Sequence, residues 1–146
     1  MNVSVASEAS QVNLDFLIND LGLRQVSNTA LFRKGNILVI SPSVQNKSNT
    51  FELGESLMKK FDPDTDEGYL LIRIKDKFLM AKLHPFQRKM MTAETEKSTK
   101  SKPSFWKFNV IESIIPRIEN NGDRELTYKI QAPTSKQLVS FFNKVK

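Results

Sequence analysis

Apolar residues recur along this chain in two rhythms, one that of helices and the other that of strands. Between 11 and 21, Leu14, Leu17, Ile18 and Leu21 fall at i, i+3, i+4 and i+7. That spacing is the stripe an amphipathic helix buries, and Gly22 follows as its stop. From 30 to 40 two apolar runs flank Lys34-Gly35-Asn36, whose glycine reaches positive φ without steric cost, so a hairpin is predicted. After Pro42 and a polar stretch, Asn49 and Glu52 have the spacing of an N-terminal capping pair. They predict a short helix with Leu53, Leu57 and Phe61 on its buried side.

A second hairpin is predicted from 69–74 and 78–83 around Lys75-Asp76-Lys77; its apolar residues occupy both faces, which places it centrally in a sheet. The third pairs 105–118 with 124–131 around Asn120-Asn121-Gly122-Asp123. Leu126, Tyr128 and Ile130 alternate inward on the return strand, and Pro116 implies a bulge or edge position. The chain closes with a capping box, Thr134-Ser135-Lys136-Gln137. Leu138, Phe141, Phe142 and Val145 follow at helical spacing, as expected of a helix packed on the domain's own sheet. Connections this short favour antiparallel pairing. The expectation is an α+β fold: an antiparallel sheet of about six strands in three hairpins, covered by about three helices. Residues 1–10 read as a flexible tail, and 11–146 as one domain with a long basic loop at 84–104.

Composition narrows the chemistry. With 146 residues, 39% of them hydrophobic, the chain suits one folded domain. Cysteine is absent and His84 is the single histidine, which excludes disulfides, thiolate metal sites and any site needing two imidazoles. No apolar run reaches membrane-spanning length and the N-terminus lacks a signal-peptide pattern, so no membrane insertion and an intracellular location, cytoplasmic or nuclear, are expected. The acidic run from Asp62 resembles the start of a calcium loop, but Glu67 stands where that loop needs glycine and Arg73 where it needs glutamate. No Asp or Glu has a lysine two residues on, as a restriction-type nuclease requires, and no phosphate-loop, dinucleotide or nucleophile-elbow motif occurs. The reading assigns no catalytic residue, no metal ligand and no cofactor, and expects a protein that is not an enzyme.

The charge is informative because it is local. Of a net charge of +6, residues 82–107 carry seven basic residues against two acidic ones, Glu94 and Glu96. Directly after this segment, Phe105-Trp106-Lys107-Phe108 alternates rings with a cation along a predicted strand. Trp106, Phe108 and Val110 read as the inward face, leaving Phe105 and Lys107 outward. Stacked rings beside phosphate-neutralising lysines are the chemistry of nucleic-acid binders. The candidate contact residues are therefore Lys82, Arg88, Lys89, Lys97, Lys100, Lys102, Phe105 and Lys107, with DNA or RNA as the expected partner. An alternative from another class is a protein-interaction module, adaptor or inhibitor, docking the same basic loop on an acidic partner.

Overall fold

The computed structural model describes residues 13–144. The expected tail at 1–10, the first two residues of the predicted helix at 11–21, and Val145 lie outside the described residues. In chain order the elements begin with α1 (Phe16–Asp20, a π-type turn closing a helix that starts at Asn13), β1 (Arg24–Gln25), β2 (Leu31–Lys34) and β3 (Ile37–Ile40). Next come β4 (Ser43–Val44), β5 (Thr50–Gly54), α2 (Glu55–Met58), β6 (Glu67–Ile74), β7 (Lys77–Lys82) and α3 (Leu83–Met90). A 3₁₀ turn at Ala93–Thr95 leads to β8 (Phe105–Ile111), β9 (Arg117–Asn120), β10 (Asp123–Lys129) and α4 (Ser135–Asn143). The fold is α+β, as the hydrophobic pattern predicts.

The strands form two sheets where the sequence suggested one. In the first, β6 is central, flanked by β7 on one side and by β3 and β4 on the other, with β2 and β1 continuing beyond β3. The second is antiparallel, ordered β10-β9-β8-β5. One core lies between the sheets, where Leu38, Leu70 and Ile72 meet Phe51, Phe108, Ile118 and the α3 residues Leu83, Phe86 and Met90. A second core covers the far face of the first sheet, where Leu17, Leu138 and Phe142 from the helices meet Phe32, Val39 and Leu71. This double cover explains why every residue of β3, and of β6 from Tyr69 onward, is buried. Each fully buried side chain of this size contributes about 1.5–3 kcal/mol, so both apolar faces must be satisfied.

All three predicted hairpin turns form, at Gly35-Asn36, Lys75-Asp76 and Asn121-Gly122. Four further expectations are corrected. The first sheet is mixed, because β3 and β6 run parallel from the Ile37–Glu67 pair to the Ile40–Leu70 pair; two strands apolar on both faces each hide an edge against the other. The segment 50–54 is a strand and the helix after it is one turn, because Phe51 and Leu53 alternate inward and pair with Phe108 and Trp106, while the Asn46 side chain, not Asn49, takes the Thr50 N–H at 2.9 Å. The basic loop at 84–104 begins as α3. Proline needs no N–H partner in a first turn, so Pro85 fits the first turn of this helix, which starts at Leu83, where a loop is expected from the sequence. Finally, the strand predicted at 105–118 leaves its ladder between Ile111 and Arg117, around Pro116.

Candidate nucleic-acid interface

The structure divides the predicted contact residues into two groups. The first, 97–107, is largely occupied with the fold itself. Lys97 forms an isolated β-bridge with Phe105, and its ammonium donates to Asn121 Oδ1 at 2.8 Å. Lys102 pairs with Glu52 and lies over the Phe105 ring, 5.0 Å from its centroid. Phe105 retains 7% of its surface, which corrects its assignment as an outward contact: the returning chain at Lys97 and Lys102 covers the strand face it occupies. Lys107 is half-buried and opposes Glu52 across the β5–β8 ladder, and only Lys100 of this group is both exposed and free of a hydrogen bond or ion pair among the described residues. Trp106, Phe108 and Val110 face inward as expected, with the Trp106 indole donating to Thr92 O at 2.8 Å.

Of the second group, Lys82, Arg88 and Lys89, Lys82 lines a cleft of about 680 Å³ where the end of β7 and the start of α3 face the end of β10 and α4, and Arg88 and Lys89 lie further along α3. Its floor follows from one backbone rung. Met80 and Gln131 exchange hydrogen bonds at 2.8 and 3.1 Å, closing the edge of the first sheet on the second, and the chains then diverge toward Lys82 and Lys129. Tyr69, Tyr128, Phe141, Pro85, Pro133 and Gln137 are among the residues lining it. Pro85 brings the α3 face that continues through Arg88 and Lys89, three and four residues on, to the same side. Lys89 Nζ stands 5.9 Å from the Tyr128 ring centroid.

The electrostatics of the two groups differ. Among the described residues, the cations in ion pairs are Arg33, Lys59, Lys75, Lys77, Lys102, Arg117 and Arg124. Lys82, Arg88, Lys89 and Lys129 are not among them, and all four are exposed. Within the cleft, Tyr69 donates its hydroxyl to Glu67 Oε1 at 2.8 Å; burial first, and that carboxylate second, raise its pKa well above the usual phenol range. Tyr69 therefore stays a neutral ring near neutral pH. The aromatic side of this site was missed because Tyr128 reads as an inward-alternating strand residue and Phe141 as a core residue. The adjacency Tyr128-Lys129, a ring beside a cation, was the available signal.

The remaining candidates have structural explanations. Asp62 and Asp66 organise a turn: Asp62 Oδ1 accepts from Asp64 N at 3.0 Å and Asp66 Oδ2 from Asp62 N at 3.0 Å. Asp66 also pairs with Arg33 at 3.1 Å, and the hydrogen bond from that guanidinium holds its carboxyl below the usual range. His84 is exposed and stands edge-on to the Phe61 ring. Among the described residues, no three His, Asp or Glu side chains are grouped so as to hold a metal ion, and no helix is long and apolar enough to cross a membrane. No protein-family model, curated protein or solved structure matches this chain.

Proposed function

We propose that this chain is a non-catalytic nucleic-acid-binding module that contacts its partner through the cleft and the adjoining face of α3. The observation that supports this reading is the set of four exposed cations without an acidic partner, Lys82, Arg88, Lys89 and Lys129, beside a cleft where the rings of Tyr128 and Phe141 remain partly exposed. Lysines and an arginine fork neutralise phosphates, and rings provide surfaces for bases. The reading keeps three of the residues predicted from sequence, and moves the aromatic component from Phe105 to Tyr128 and Phe141.

Fluorescence anisotropy with labelled single-stranded DNA, duplex DNA and RNA, across about 50–300 mM salt, tests it. Affinity should fall steeply with salt, by about 0.7 in log–log slope per phosphate neutralised on a single strand and about 0.9 on duplex DNA. Replacing both Lys82 and Lys129 by alanine should flatten that slope, whereas the triple replacement of Lys97, Lys100 and Lys102 should leave it nearly unchanged. Equal binding to heparin and to every nucleic acid would overturn the reading in favour of an acidic protein partner.

A further inference from the structure

Resting on that reading, we infer that the cleft seats one unpaired nucleobase, so that the module grips single strands in preference to duplexes. At about 680 Å³ the cleft lies within the range that accommodates a small organic ligand. Bases inside a duplex are stacked and cannot enter such a recess, whereas a single strand can turn one base into it.

The lining has the components a base requires. Phe141 keeps 37% of its surface exposed although Phe142 beside it is fully buried, so an aromatic ring is presented at the cleft and not spent on the core. That ring is held in place, meeting Tyr69 edge-on at 5.2 Å and Phe142 at 5.0 Å between centroids. Across the cleft Tyr128 is steadied by the edge of Phe86 at 5.4 Å. Gln137 supplies a directed polar group: its Oε1 accepts from Thr134 N–H at 2.9 Å, so the amide nitrogen carries the two donors left for a base carbonyl. Lys82 comes from one sheet and Lys129 from the other, and this places a cation at the end of each strand that borders the recess, where the phosphates flanking an inserted base would run. An aromatic ring, a fixed amide donor and two unpaired cations together match a nucleotide better than an uncharged apolar ligand or a plain phosphate.

The test uses the full chain and an oligothymidylate carrying one central 2-aminopurine, alone and annealed to its complement. The single strand should bind at least roughly ten-fold tighter than the duplex, and the 2-aminopurine emission should change on binding as its ring stacks. Phe141→Leu keeps apolar volume and removes the ring; it should weaken single-strand binding roughly five- to hundred-fold. Phe141→Trp should retain wild-type affinity, because the indole offers a stacking face at the same place. Salt-dependent binding that is equal for single strand and duplex, or unaffected by Phe141→Leu, would overturn the base pocket while leaving the basic surface standing. Binding to neither nucleic acid would overturn both.

Discussion

The carboxylate of Glu112, just beyond β8, lies 2.8 Å from the ammonium of Lys75 in the β6–β7 turn, and so ties the second sheet to the first. Lys77 approaches its other oxygen at 2.7 Å, and the Asn49 amide donates to the oxygen that Lys75 holds, at 3.0 Å. The two lysines, the Lys75 hydrogen bond foremost, pull the Glu112 pKa down to about 2. A depressed carboxylate stabilises the fold above its unfolded pKa, about 4.3, and loses that contribution as pH falls through the folded value. Both lysines are substantially exposed, so screening limits the effect. Glu112→Gln should cost about 1 kcal/mol at neutral pH, and the melting-temperature gap from wild type should close between about pH 4.5 and 2.

Neighbouring phenylalanines on α4 should respond very differently to truncation. Phe142 is fully buried between α4 and the first sheet, while Phe141 is partly exposed at the cleft. Phe142→Ala should cost about 3–5 kcal/mol and Phe141→Ala less than about 1 kcal/mol, read by urea denaturation. Similar losses would mean that both rings belong to the core.

Gly68 is required by packing and not by backbone conformation. A Cβ built there would sit 2.5 Å from the Phe61 ring, which is buried against the start of β6. Gly68→Ala should therefore destabilise by about 1–3 kcal/mol. Pairing it with Phe61→Ala should recover most of that increment in a double-mutant cycle, since the clash needs both groups.

Asn120 is a buried connector whose amide is used on both sides. Its nitrogen donates to Met90 O and Thr95 Oγ1, each at 2.9 Å, and its oxygen accepts from Gly122 N at 2.8 Å. Asn120→Asp removes the donors and points a carboxylate at the Met90 carbonyl. The expected loss is about 2–4 kcal/mol at neutral pH by thermal denaturation, shrinking as acid protonates the new carboxyl and restores a donor. A loss independent of pH would show that the carboxylate charge is not the cause.

Asn120 also illustrates what was legible beforehand. In the sequence it is part of a turn signal, and the turn forms; that its side chain also ends α3 depends on a carbonyl thirty positions away, which no local pattern encodes. Pro85 was misread for a similar reason, because a proline after a strand suits both a loop and the first turn of a helix. Burial of Leu83, Phe86 and Met90 decides for the helix. The candidate site was half legible: Lys82, Arg88 and Lys89 stand out by charge, whereas Lys129 and Phe141 join them only because β10 and α4 return to β7.

By itself, the sequence determined the α+β class, the three hairpin turns and the Thr134–Gln137 capping box that starts α4. Each of these rests on φ preferences, periodicity or hydrogen bonds within a few residues, interactions that need no distant partner. Only the tertiary structure decided that β3 and β6 pair in parallel, that 50–54 is a strand, and that Phe105 is covered while Phe141 is left open. Those outcomes turn on which apolar faces find each other across the chain, and burial of that kind is non-directional and insensitive to sequence order.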